Sequence, residues 1–396
     1  MSETPLRIGY IPLVDAAALL VAVDHGFAAA EGLAIELVRE VSWSNVRDKL
    51  NIGLFDAAHM LAPLPIASSF GIGHVRVPLI APFNLALNGN AVTVTPALHA
   101  ELAAFADGDP ADPLVSARAL ARVVAERRAK GASPLNFGMT FPFSNHNYQL
   151  RYWMAAGGVD PDEDVRMVVL PPPYMVESLT NGHVDGFCVG APWNSVAVEA
   201  GVGCIQHFGS ELTLRLPEKM LVVREDWADT RPDVLAALIR SLARAAEYIE
   251  AVEHRANVTA SIAERLGVEP SLVSRTLNGL LKVAPDGTMR GSDHYILIGR
   301  ENANRPDPAH AAWFYAQMVR WGQTPLSDEA AATAQRVFRA DLYDAALGRP
   351  APTNDGGPRD GIGAFVGPDF VPGDIAGYLK AWELKRSGRP RLSLVR

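Results

Sequence analysis

Cysteine is nearly absent, with two among 396 residues, Cys188 and Cys204. A disulfide framework is therefore not what holds this chain, and its 48% hydrophobic residues must supply the core. Cys188 sits in an apolar strand pattern, the usual setting of a buried free thiol, although a Cys188–Cys204 bridge stays open on spacing alone. Positive charge is in deficit: the formal net charge is -8, and no long Lys/Arg run offsets it. That balance speaks against nucleic acid or an anionic membrane surface as a direct partner, while leaving room for a local basic site. No apolar run approaches the roughly 18 residues that span a bilayer. The first residues, MSETPLRIGYIPLVDAAALL, show neither a basic segment before an apolar one nor a lipobox-like cysteine, so a native start at Met1 predicts a cytoplasmic protein. Signatures of nucleophilic, zinc-hydrolytic and nucleotide chemistry are missing too, and the ten histidines lack metal-ligand spacing. These gaps favour binding over turnover, so the expectation is a protein that is not an enzyme and carries no cofactor.

What is present is an alternation of short strands and helices. Arg7 to Leu13 reads as a strand, Val14 to His25 as an Ala/Leu-rich helix, Leu33 to Val41 as a strand, and Ala57 to Leu61 as another after a short helix. This βαβα order predicts an α/β fold with a doubly wound sheet. A repeat then appears: Leu50, Gly53, Asp56, Ala62 and Pro63 recur at identical spacing as Leu179, Gly182, Asp185, Ala191 and Pro192. Each set reads as a helix end, a glycine cap, an Asp opening a strand and a Pro closing it. Two similar lobes facing each other across a cleft are expected, with Ala91 to Thr95 and Leu216 to Val223 as crossover strands. The lobes are expected at 1–92 plus 222–345 and at 93–221, with 346–396 as a Gly/Pro linker and C-terminal helix. The stripe Ile375, Tyr378, Leu379 and Trp382 on that helix predicts a docking face, on the body of the chain before a partner.

The stretch Gly138 to Asp160 reads as a strand, a polar hinge and an amphipathic helix. Ser144, Asn145, His146 and Asn147 cluster where the helix should begin. Such a cluster either only caps the helix or also offers its free N–H groups and dipole to a small anion.

Taken in order, several runs resemble the nitrate- and bicarbonate-binding proteins of the NrtA/CmpA type, a branch of the periplasmic binding-protein superfamily. They are RIGYIPLVDAAALLVAVDHGF, SWSNVRDKLNIGLFDAAHML, LNGNAVTV, TFPFSNHNYQLRYWMAAGGVDPDEDV, GHVDGFCVGAPWN and PEKMLVVREDW. The resemblance implies a type II periplasmic-binding-protein-like fold with the ligand in an interlobe cleft. It carries ligand-holding roles onto Trp43, Asn90, His146 and Lys219, with Asn88 an alternative to Asn90. Lys219 would supply the positive charge, His146 and the amide would donate, and the Trp43 ring would cover the ion. A Lys where the bicarbonate branch carries an acidic residue points to nitrate or nitrite. The missing export signal and the C-terminal extension resemble the cytoplasmic NasS-type sensor, which implies a NasT-type antiterminator as partner. The alternative is the solute-binding component of a nitrate ABC transporter.

Overall fold

The structure, a computed structural model, describes residues 5–350 and 362–382. Two sheets organise it. The first contains β1 (Leu6–Tyr10), β2 (Ile35–Arg39), β3 (Ala57–Leu61) and β4 (Leu79–Asn88). The chain then passes to the second sheet, built from β5 (Asn90–Val94), β6 (Asn136–Met139), β7 (Arg166–Val169), β8 (Gly186–Gly190) and β9 (Cys204–Phe208). It returns as β10 (Pro217–Arg224), adds the hairpin β11 (Leu280–Lys282) and β12 (Met289–Gly291), and closes the first sheet with β13 (Ile296–Leu297). The strand orders are β13-β4-β10-β3-β1-β2 and β7-β6-β8-β5-β9.

The same plan serves both sheets. In each, three strands run parallel, β2-β1-β3 and β7-β6-β8, and the third is flanked by an antiparallel strand, β10 or β5. The repeat seen in the sequence maps onto this symmetry. Gly53 and Gly182 both take positive φ, which a side chain would strain. Asp56 then accepts the Arg7 N–H at 2.9 Å and Asp185 the Asn136 N–H at 2.8 Å, so each Asp ties the start of its strand to the parallel neighbour. Burial explains the composition. β3 and β8, covered on both faces, are apolar almost throughout, whereas the outer strands β2 and β7 expose Arg39 and Arg166.

The lobe boundaries differ slightly from those expected. Positions 92/93 and 221/222 fall inside β5 and β10, and the chain instead crosses at Asn88–Gly89 and between β9 and β10. Asn88 adopts φ 57° there and its amide donates to Leu214 O and His294 O, both at 3.0 Å. Helix Asp328–Val337 ends where Phe338 bridges Ala81 of β4, and a new helix begins at Ala340.

Helix Asn145–Ala156 serves both lobes. Leu150, Trp153 and Met154 enter the core of the second sheet, whereas Tyr148 and Tyr152 join a cluster with Phe314 and Met220 of the first lobe. The C-terminal segment seals this junction. Phe365 N–H donates to Leu212 O at 3.0 Å, Tyr152 Oη donates to Val366 O at 2.7 Å, and Gln317 Nε2 donates to Tyr378 Oη at 3.2 Å. The stripe Ile375, Tyr378 and Trp382 thus packs on the body of the chain, and Arg320 lies 4.2 Å from the centre of the Trp382 ring. Of the expected linker and last helix, 351–361 and 383–396 lie outside the described residues.

Candidate functional site

The C-terminal ends of the strands of both sheets face one enclosed cluster. On the first lobe, β1 runs out at Tyr10 and the following turn places Asp15 beneath β3 and β10. On the second, β6 runs out at Met139, and Ser144 caps the next helix by accepting the Asn147 N–H at 3.1 Å, which fixes Asn145 and His146 at its first two positions. The crossing strands start at the cluster as well: Asn90 opens β5, and Glu218 and Lys219 open β10. The β10–β4 register shifts on either side of Lys219, a bulge that lets the consecutive side chains Glu218 and Lys219 enter the same space.

All four expected residues meet here, and each is at most 1% exposed. Each also meets side chains that the motifs did not point to. Lys219, expected to supply the positive charge, donates from Nζ to Glu218 Oε1 at 2.5 Å and Asp15 Oδ2 at 3.0 Å. Its ammonium also lies 5.2 Å from the centre of the Trp43 ring, a cation–π contact. Asn90 Nδ2 donates to Glu218 Oε2 at 2.8 Å and Gln149 Oε1 at 2.9 Å, and the alternative Asn88 is spent on the crossover. His146 Nε2 stands 2.6 Å from Glu218 Oε1, off the line of an aligned hydrogen bond, so the contact is electrostatic first. Its Nδ1 lies 2.6 Å from Thr140 Oγ1. Burial explains the pairing: an unpaired ammonium in this interior would be too costly, so the chain supplies carboxylates to it.

Four further residues complete the cluster. Asp15, His59, Gln149 and Glu218 are all buried. His59 Nδ1 accepts the Ile11 N–H at 3.4 Å and its Nε2 lies 2.8 Å from Asp15 Oδ1. Their signal in the sequence was present but faint: a histidine inside the apolar run AAHML, a carboxylate inside LVDAA, and a glutamate within the PEK run itself.

The electrostatics follow from this packing. Burial pushes the Asp15 carboxyl up, but Lys219 and the hydrogen bond from His59 outweigh it and hold the group below the usual carboxylate range. Glu218 behaves alike: burial raises it, and His146 with Lys219 outweigh that and bring it below the usual carboxylate range. For Lys219, burial works against the charge, yet Asp15 and Glu218 hold its affinity for the proton above the ordinary lysine value. Burial dominates at His59 and lowers it, so that imidazole is neutral. Cys188, with Sγ 3.9 Å from Gln149 Oε1, is kept a thiol by burial and by the nearby Glu218 charge.

The lobes touch closely around the cluster. Val14 N–H of the first lobe donates to Ala191 O of the second at 2.9 Å, and Asn145 Nδ2 donates back to Pro217 O at 2.7 Å. A Cβ on Gly190 of β8 would lie 3.0 Å from Asp15 Oδ2, which is why glycine serves where the lobes meet. Several polar atoms at the cluster have no hydrogen-bond partner among the described residues: Trp43 Nε1, Asn90 Oδ1, Asn145 Oδ1 and the Tyr295 hydroxyl. Buried groups of this kind are seldom left unmatched, and they form a set of spare donors and acceptors around Glu218 and Lys219.

Comparison with known proteins places this geometry. The model of the NMT1-like family matches residues 1–263. The nitrate/nitrite binding protein NrtA of Synechococcus elongatus is 30% identical over 393 residues, covering 96% of this chain and 86% of that protein. The nitrate import ATP-binding protein NrtC of Synechocystis is 31% identical over 98% of this chain, which spans 56% of its length. Among solved structures, the periplasmic nitrate-binding protein NrtA from Synechocystis superposes with a TM-score of 0.85 at 27% identity, covering 96% of this chain and 99% of that one. The chain belongs to the NMT1-like family, with relatives among the NrtA- and CmpA-type nitrate/nitrite- and bicarbonate-binding proteins.

Proposed function

We propose that this protein binds a small planar oxyanion, nitrate or nitrite, between its lobes and serves as the solute-binding component of an ABC importer. The observation that carries the reading is the convergence of Trp43, Asn90, His146 and Lys219 from separate segments on one enclosed interlobe position. Support comes from the names of its relatives, two of which bind or import nitrate. Nitrate needs in-plane donors and one cation, and the cluster offers Lys219, the Asn90 amide, the His146 imidazole and the unmatched Trp43 indole N–H. Because these side chains have almost no exposed surface, the ligand enters when the lobes part and is enclosed when they close. The role is binding without turnover; the buried Cys188 thiol, held protonated, is not an activated nucleophile.

A cytoplasmic sensor that holds a NasT-type antiterminator would use the same closure. The apolar C-terminal stripe that such a partner would need is already covered by the body of the chain, so the importer reading stands ahead. Calorimetric titration with nitrate, nitrite, bicarbonate and sulfate tests the ligand. Saturable binding of nitrate or nitrite is expected, and preference for sulfate or no binding of any of the four refutes the reading. Copurification with importer subunits, set against capture of an antiterminator, separates the two roles.

A further inference from the structure

Three of the four side chains expected to hold an anion are turned toward a carboxylate of the chain itself. Glu218 receives Lys219 Nζ at 2.5 Å and Asn90 Nδ2 at 2.8 Å, and stands 2.6 Å from His146 Nε2. A carboxylate, like nitrate, is flat, singly charged and offers its oxygens in one plane. The wall of the site thus presents a group that resembles the ligand to the very donors the ligand would use.

The charges facing this position can be counted. Lys219 is the cation and Asp15 and Glu218 are anions, so with a neutral His146 facing Glu218 the enclosed set carries two negative charges against one positive. His59 does not offset them. Its Nδ1 accepts the Ile11 N–H and its Nε2 keeps the proton shared with Asp15, which defines a neutral ring. From β8 and from the segment before β13, Cys188 and Tyr295 face the cluster as a neutral thiol and phenol, both pushed upward by burial. Adding an anion would leave three negative charges against one positive among side chains with almost no exposed surface, and like charges in such an interior repel more strongly than in solvent.

We propose that the site takes up its anion together with one proton, held by the His146–Glu218 pair, so that the enclosed charge is the same with and without ligand. This rests on the oxyanion reading above. The proton comes from solvent and forms an N–H on His146 or an O–H on Glu218; no bond between heavy atoms is made or broken. His146 is built to receive it without turning its ring. Thr140 Oγ1, 2.6 Å from Nδ1, donates to the neutral imidazole and accepts from the protonated one, while Nε2 keeps facing Glu218. Protonation neutralises the repulsion between Glu218 and the ligand and frees Lys219 and Asn90 to turn toward the anion. Uptake of one proton with each anion makes affinity rise as pH falls, by up to about tenfold per unit.

The test is calorimetric titration of the full chain with nitrate and nitrite at one pH in two buffers of different ionisation enthalpy, repeated between pH 6 and 8.5. One proton absorbed per anion bound, with a matching pH slope, is the expected result. In Glu218→Gln the negative charge is already gone, so proton uptake should vanish and affinity at pH 8.5 should exceed that of the parent chain at least tenfold. Binding by the parent chain with no proton uptake and no pH slope overturns the proposal and leaves the oxyanion reading standing. Proton uptake that persists in folded Glu218→Gln overturns its assignment to this pair. No saturable nitrate or nitrite binding at any pH removes the oxyanion reading, and this inference with it.

Discussion

The turns that follow β1 and β6 occupy equivalent places in the two sheets but carry opposite chemistry. After β1 the chain delivers Asp15, a full charge tied to His59 and Lys219 of the same lobe. After β6 it delivers Ser144, Asn145 and His146, which cap a helix and reach across to the first lobe through Pro217 O and Glu218. The fixed charges of the site therefore sit on one lobe, and the adjustable hydrogen-bonding groups on the other. An ion set confined to one lobe survives when the lobes part, whereas contacts between lobes exist only on closure. Substitutions in the first lobe should accordingly act on stability before affinity, and those between the lobes on affinity before stability.

The largest effect is expected at the centre of the charged set. Lys219→Met strips two buried carboxylates of their cation and should lower unfolding free energy by about 3–5 kcal/mol, read by urea denaturation. A loss below about 1 kcal/mol would mean that the ion set does not persist in solution. Next comes Trp382→Ala, which removes the ring packed on Tyr152 and stacked over Arg320. Because Trp382 is only half-buried, about 2 kcal/mol is expected, with faster proteolytic cutting of the C-terminal segment.

Gly190→Leu tests the other side of the comparison. Even the first atom of that side chain meets Asp15 Oδ2 at 3.0 Å, so the lobes should be wedged apart. Nitrate affinity should fall at least tenfold, or about 1.4 kcal/mol, and small-angle scattering should show an expanded particle. Unchanged affinity would show that binding does not require this closure. The smallest effect concerns acid. Burial lowers His59 from its ordinary 6.5, so the unfolded chain takes the proton first. Its contribution to stability is therefore present above pH 6.5 and is lost as pH falls toward the folded value. The melting temperature should drop between pH 7 and 5.5, and His59→Gln should flatten that drop.

Much of the architecture was legible in local pattern. β3 and β8 announced themselves because burial on both faces demands apolar runs, and the repeated Gly and Asp did so because positive φ and strand anchoring admit few residue types. β4 was harder to see: LIAPFNLALN contains Pro82 and two asparagines, and the Asn84 amide nitrogen donates to the carbonyls of Ala303 and Arg305, far away in sequence. The break at Phe338 was likewise invisible, since it depends on a bridge to Ala81.

Within the site the division is the same. Sequence alone determined the two-lobed α/β plan and the paired crossovers, through periodicity and turn chemistry, and pointed to Trp43, Asn90, His146 and Lys219 through the resemblance that its ordered motifs carry. Only the tertiary structure decided that Asp15, Glu218 and His59 join them, that Lys219 is neutralised, and that Gly190 closes against Asp15. Local pattern records the conformation of each segment, whereas the charge balance of a buried site depends on side chains brought together from segments up to 204 positions apart.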